Sequence, residues 1–206
     1  MDIDPTPADA GPPETHETRE QHAPADSPFD MAPGVVIGPV PRMDACISGT
    51  DGEMSDDQLV ELLAATSNVA IVGMSPRESR TSYQVAATLH EHSHFSLFFV
   101  NPTAVDQEAL GKPFYSSLAA LPVTPDMVDV FRRSEDVPPV MADAFDAGAA
   151  SVWLQLGIVN DKAQADAATA GIPFVQNRCL KVEYLRLKER ILERRAALGL
   201  PTTTSL

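Results

Sequence analysis

Residues Gly73 to Arg80, Gly-Met-Ser-Pro-Arg-Glu-Ser-Arg, follow a short apolar run and lead into a helical pattern. A tight turn of this kind aims the first amides of a helix at an anion, and the helix dipole adds to the attraction. Ser75, Ser79, Thr81 and Ser82 can add hydroxyl donors, and Arg77 and Arg80 positive charge. The chemistry offered is phosphate binding; the alternative is an ordinary turn with a serine cap. A dinucleotide-binding loop would read G-x-G-x-x-G, with an acidic residue closing the second strand to hold the ribose hydroxyls. Only Gly73 fits that pattern. Ser75 and Glu78 stand at the other glycine positions, and the second strand ends in Asn101. Nicotinamide dinucleotides are disfavoured.

Four other polar segments end apolar runs: Asn101-Pro102-Thr103, Arg132-Arg133-Ser134, Gln155-Leu156-Gly157 and Asn177-Arg178-Cys179. In an open parallel sheet the ligand lies at the carboxyl ends of the strands, so these segments form the expected rim. Arg132 is expected to face the cleft. Cys179 reads first as a small buried hydrophobe and second as a thiol close to a ligand. Trp153 reads as core. His90, His92 and His94 alternate as metal ligands on a strand would, but at a helix terminus they more simply complement the dipole, and no metal is expected. No Ser–His–Asp set or carboxylate pair is evident, so no catalytic residue is assigned.

The elements that must hold these segments alternate. Ser55 and Gln58 have capping-box spacing, with Asp56 and Asp57 in the first helical turn. Val69 to Gly73 reads as a buried parallel strand, Thr81 to His92 as a helix, and Phe95 to Val100 as a second strand. Pro113 to Tyr115 could be a short edge strand. Strands from Met127, Ala150 and Ile172 follow, with helices at Val137–Ala147, from Asn160 to Gly171, and from about Lys181 to Leu198. This pattern gives an α/β fold, a Rossmann-like doubly wound parallel sheet in the order 3-2-1-4-5-6. The last helix, with Val182, Leu185, Ile191, Leu192 and Leu198 as its apolar positions, is expected to pack near Leu185 and to project beyond the sheet. Its distal half would then be free to meet a homodimer partner, a partner enzyme or the acidic tail.

Charge divides the 206-residue chain. Residues 1–55 hold eleven acidic side chains against two basic ones, a local −9 out of a formal −14, and nine of the eighteen prolines precede Arg42. Residues 1–53 are therefore expected to be a disordered acidic tail, with Val35-Val36-Ile37 as a small apolar patch inside it. Residues 54–198 form the domain, and 199–206 a flexible end. No basic stripe is present to neutralise a nucleic acid backbone, which excludes it as a partner. The longest apolar runs are strand-length, so no membrane span is expected. Cys46 and Cys179, the two cysteines, make no disulfide framework, and a reducing cytoplasmic setting fits best.

Taken in register, Val72-Gly-Met-Ser75, Val100-Asn-Pro102, Gly111-Lys-Pro-Phe-Tyr115, Val128-Asp-Val-Phe-Arg132, Trp153-Leu-Gln-Leu-Gly-Ile158 and Arg178-Cys179 leading to Glu183 and Arg186-Leu187 resemble the stand-alone CoA-binding proteins. These share their fold with the N-terminal domain of the succinyl-CoA synthetase alpha subunit. The resemblance implies coenzyme A across the strand ends, its phosphates on the Gly73–Arg80 loop and its adenosine near Asn101 and Pro102. The pantetheine arm would lie near Arg132–Ser134 and Gln155–Gly157. Two departures stand out. Ser93 replaces the glycine usual before the second strand, and the chain continues past Leu187 as a helix. The synthetase's catalytic phosphohistidine lies in a second domain, and no histidine follows His94 here.

Three functions compete on this reading. The first is non-catalytic binding of CoA or an acyl-CoA by Gly73, Ser75, Arg77, Arg80, Ser82, Asn101, Pro102, Arg132, Ser134, Gln155, Gly157 and Cys179. The second is an enzyme, or enzyme subunit, acting on an acyl-CoA. The third is a regulator that senses an adenine nucleotide.

Overall fold

The computed structural model describes residues 53–203. Residues 1–52 of the expected acidic tail, with the Val35–Ile37 patch, lie outside the described residues, as do the last three residues of the chain.

Helix α1, Asp56–Ala65, opens on the expected capping box: the Ser55 hydroxyl accepts from the Gln58 amide, and the Gln58 side chain accepts from the Ser55 amide. Strand β1, Asn68–Val72, is apolar from its second residue on and buried on both faces, as a central parallel strand must be. It pairs in parallel with β2, Ser96–Val100, and with β5, Met127–Val130. Strand β4, Lys112–Tyr115, lies beyond β2, while β6, Val152–Leu154, and β7, Phe174–Val175, extend the other side. These six strands have the order expected from the alternation of elements.

One strand was not expected. Glu108–Ala109, β3, pairs antiparallel with β4 at the outer edge, so the full order is β3-β4-β2-β1-β5-β6-β7. The two-residue turn between them, Leu110 and Gly111, has φ of 53° and 70°. That is the primed-turn geometry of tight hairpins, usually announced by Asn-Gly; leucine here gives no such signal.

Two cores sandwich the sheet. On one face α1, α2 (Thr81–His92) and α5 (Leu180–Ala197) cover Val69, Ile71, Leu97, Phe99 and Trp153. On the other, α3 (Val137–Asp146) and α4 (Asp161–Ala170) cover Ala70, Val72, Val128, Val130, Val152 and Leu154. Helix α4 begins on an Asn160 side-chain cap and ends at Gly171, in the left-handed conformation. Ser93 ends α2 without a left-handed residue: its backbone is extended, and its hydroxyl donates to the Leu89 carbonyl while accepting from the Phe95 amide.

Helix α5 departs from expectation. Its buried face is Leu180, Tyr184, Leu187, Ile191 and Arg195, whereas Leu185 and Val182 are among the exposed apolar residues. The distal half does not project; it lies along α1. Arg186 meets Asp56 at 2.6 Å, Arg190 pairs with Asp57, and Arg194 meets Glu61 at 2.8 Å. The arginines recur every four residues, matching acidic positions on the neighbouring helix. Such exposed pairs contribute little individually, and burial of Leu187 and Ile191 supplies most of the stabilisation.

The three histidines do not share a face either. His92 is exposed, whereas His94 lies past the end of α2 and is buried. Its Nε2 donates to the Thr66 carbonyl at 2.9 Å, so Nδ1 accepts from the Tyr184 hydroxyl at 2.9 Å. Beside it Arg195, also buried, donates to the carbonyls of Ala64, Thr66 and Pro201 and to the Ser67 hydroxyl. This closes the open carbonyl end of α1. Burial, then the Arg195 charge, lowers the His94 pKa from 6.5 to about 4.

A pH dependence follows. Between pH 6.5 and 4 the unfolded chain protonates this histidine and the folded one resists, so stability present above pH 6.5 is lost as the pH falls. His94→Gln should remove that slope. In urea unfolding at pH 7 and pH 4.5, the parent should lose about 2 kcal/mol more than the variant.

Candidate functional site

At the carboxyl end of β1 the chain is held from both sides. The Gly73 amide donates to the Val100 carbonyl at 2.9 Å, and the Phe131 amide to the Val72 carbonyl at 2.8 Å. The backbone must then turn at once, and Gly73 takes φ +85°. A Cβ on Gly73 would lie 2.4 Å from the Phe131 carbonyl oxygen and 3.2 Å from Arg132 Nε. Glycine is needed for both reasons. The same contact puts the Arg132 side chain beside the start of the loop.

The 74–80 loop is braced from within. The Ser82 hydroxyl, buried, accepts from the Ser75 amide at 3.1 Å, and the Ser75 hydroxyl accepts from the Arg77 amide at 3.2 Å. Met74 is fully buried beneath it. Arg77 and Arg80 are exposed, with side chains directed to solvent. Helix α2 then starts at Thr81 with Arg80 as its N-cap and no side-chain cap, as do α3 and α5 at their own starts, whereas α1 and α4 are capped. Its first-turn amides are thus left for solvent or a ligand.

Asn101 takes a structural part. Its Nδ2 donates to the Met74 carbonyl at 2.8 Å, and its Oδ1 accepts from the amide and hydroxyl of Thr103. The carboxamide is used up as a strut between the ends of β1 and β2. Pro102, exposed, stands on the rim. Val72, Val100, Pro102, Ser116, Ser117 and Arg132 line a cleft of about 340 Å³ together with Asp136, the N-cap of α3, and Pro139, Val140 and Asp143 of α3 itself. Its position is the switch point, where α2 and α3 leave on opposite faces of the sheet.

Ser134, Gln155 and Gly157 stand on the loops after β5 and β6, and Cys179 on the loop after β7. The Ser134 hydroxyl accepts from the Val159 amide and its carbonyl from Asn160 Nδ2, tying the β5 and β6 loops together. The Gly157 amide donates to Asn177 Oδ1 at 2.9 Å, and Trp153 Nε1 to the Arg178 carbonyl at 2.7 Å. Trp153 is core, as expected. Cys179 is half-buried, a free thiol at the start of α5. Leu156 stands at the same rim, 71% exposed. Among the described residues no cluster of side chains could hold a metal ion, and no helix is long and apolar enough to cross a membrane.

Sequence reasoning missed Ser116, Ser117 and the α3 wall, because a turn after an edge strand carries no motif. It also passed over Asp129, an acid in the middle of the apolar strand β5. Asp129 is fully buried and accepts from Gln155 Nε2 at 2.9 and 3.0 Å. Burial raises its pKa from 3.8 to about 7, while the bonds from the Gln155 side chain and the Val130 amide pull it back down.

The Gly73 geometry is directly testable. Gly73→Ala places a methyl carbon against a backbone carbonyl at a φ that L-residues rarely adopt. It should cost roughly 2–4 kcal/mol of stability, measured by denaturant unfolding.

With this geometry in view, the chain can be set beside known proteins. The profile of the CoA binding domain matches residues 67–185. Bacillus subtilis (strain 168) YneT is 34% identical over 130 residues, spanning 63% of this chain and 94% of that protein. A structure from Thermus thermophilus, cell-free ID.343, superposes with a TM-score of 0.62 at 31% identity, over 65% of this chain and 99% of that one. A protein of Pyrococcus horikoshii OT3 gives a TM-score of 0.63 at 31% identity, over 67% and 95%. More than half of the chain is matched by one profile, and relatives of similar extent share its fold; the chain belongs to the CoA binding domain family.

Proposed function

We propose that the chain binds coenzyme A or an acyl-CoA across the carboxyl edge of its sheet, without catalysis of its own. The observation that carries this reading is the uncapped start of α2, reached by the Gly73 turn, beside a switch-point cleft in a CoA binding domain. The diphosphate would lie on the Ser75–Thr81 loop, held by backbone amides, the helix dipole and the nearby charges of Arg77, Arg80 and Arg132. A cleft of about 340 Å³ suits a nucleoside but not all of CoA. The adenosine would therefore occupy it, between Pro102 and Val140. The pantetheine arm would run along the rim past Ser134, Gln155 and Gly157 towards Cys179. Asn101, engaged as a strut, offers no carboxylate to ribose hydroxyls, which argues against a nicotinamide dinucleotide.

Ser75→Asp tests the phosphate position. Aspartate can still accept from the Arg77 amide, so the loop keeps its brace. Its charge would meet the diphosphate in a partly desolvated cleft, at a cost on the order of a few kcal/mol, or roughly a hundredfold in affinity. Calorimetric titration with CoA should show that loss, with Asp166→Asn on the outer surface of α4 as an unaffected control and NAD giving no signal in the parent. Undiminished CoA binding by folded Ser75→Asp would remove the phosphates from this loop.

A further inference from the structure

Asp129 poses a problem that packing does not answer. It occupies the centre of the sheet, paired in register with Ile71 and Trp153, on the face covered by α1, α2 and α5. Placing an acid there, fully buried, is unfavourable by comparison with valine or leucine. Its side-chain partner is the carboxamide of Gln155, one residue beyond the end of β6, on the rim.

We propose that Asp129 is a positioning residue. It fixes the orientation of the Gln155 carboxamide, so that the rim beyond β6 presents a hydrogen-bond acceptor to the ligand. Both Asp129 oxygens receive Gln155 Nε2, so the amide nitrogen faces inward and Oε1 faces away. Among the described residues no buried side-chain polar atom lacks a partner, and Oε1 has no protein donor. Oε1 is therefore the part of this nearly buried residue that reaches solvent. A second amide in place of Asp129 would not fix this direction, because an amide both donates and accepts. Above its raised pKa of about 7 the Asp129 carboxylate accepts only, and so determines which end of Gln155 turns out.

The ligand group that fits is an N–H or O–H donor, such as an amide of an extended acyl-amide chain. This rests on the CoA reading above, in which the pantetheine arm, with its amide and hydroxyl donors, passes Gln155. Asp129→Asn removes the directional constraint, because asparagine can donate to Gln155 Oε1 and let the carboxamide turn over. Adding Gln155→Glu to that variant restores it: the new carboxylate accepts from the asparagine and keeps an oxygen at the rim.

The experiment compares CoA with adenosine 3′,5′-bisphosphate, which lacks the arm, by calorimetry on the full chain at a pH well above 7, where Asp129 is ionised. Asp129→Asn should weaken CoA about tenfold, the worth of one hydrogen bond, and leave the bisphosphate unchanged. The double variant Asp129→Asn with Gln155→Glu should recover most of the CoA affinity, which a merely structural role for Asp129 would not produce. Should Asp129→Asn fail to fold, Gln155→Met takes its place and should show the same selective loss. Equal loss for both ligands, or no loss for CoA, overturns the proposal. If the parent binds neither ligand, the CoA reading itself fails, a result distinct from either.

Discussion

The carboxyl edge of this protein depends on how closely two backbones approach. Gly73 and Phe131 come together at the ends of β1 and β5, with no room for a Cβ between them. Because β1 is hydrogen-bonded to β2 and β5 up to its last residue, the chain can leave only by turning sharply there. That turn starts the path to α2 on one face, while the chain after Phe131 passes to α3 on the other. The cleft is the gap these divergent paths create, and the uncapped start of α2 opens beside it. A larger residue at position 73 would separate the strands or redirect the loop, and either would displace Arg132 and the helix amides together.

The opposite end of the sheet is organised by buried polar groups. Thr66, His94, Tyr184 and Arg195 come from α1's exit, the start of β2 and two turns of α5, and they satisfy one another. Arg195 has no acid partner in this set; it uses its donors on main-chain carbonyls and the Ser67 hydroxyl. Removing any one member would leave a buried donor or acceptor unpaired, a larger penalty than losing one of the exposed ion pairs between α1 and α5. The long final helix is thereby tied to the first, and the ligand edge is left free of this burden.

What the sequence made legible was what local chemistry determines. The Ser55 box and the Asn160 and Gly171 ends of α4 each follow from a pattern within a few residues, and the parallel order of six strands from the alternation of elements along the chain. The hairpin strand β3 escaped because Leu110 takes a left-handed conformation usually given to Asn or Gly. The face of α5 was misjudged because two residues that look polar, Tyr184 and Arg195, are buried, while Val182 and Leu185 are not. His94 and Asp129 escaped for a related reason. Whether a titratable side chain is buried depends on partners, Tyr184 and Gln155, that lie 90 and 26 residues away. At the site, the loop and strand-end residues could be named from the chain, but not which of them are spent on structure. Asn101 and Ser82 look like ligand groups in sequence, yet their hydrogen bonds hold the loop.

This division between groups that hold the loop and groups left open bears on what the edge can recognise. The 74–80 loop keeps exposed cations, Arg77 and Arg80, and the free helix amides. The cleft wall at α3 instead carries its N-cap Asp136 and Asp143 beside the apolar Pro139 and Val140, and Arg133 is paired with Glu135 and Asp136. A polyanion is favoured on the first side and opposed on the second, where a flat, uncharged ring with hydrogen-bond donors is better matched. Beyond β6 the loop exposes two apolar side chains, Leu156 and Val159, after the Gln155 carboxamide. A phosphate alone would use one of these three zones, and a mononucleotide two. On the proposed reading, a ligand that joins a nucleoside, a diphosphate and a long amide-bearing arm uses all three. That supports a CoA ester or thiol over a simpler adenine nucleotide at this edge.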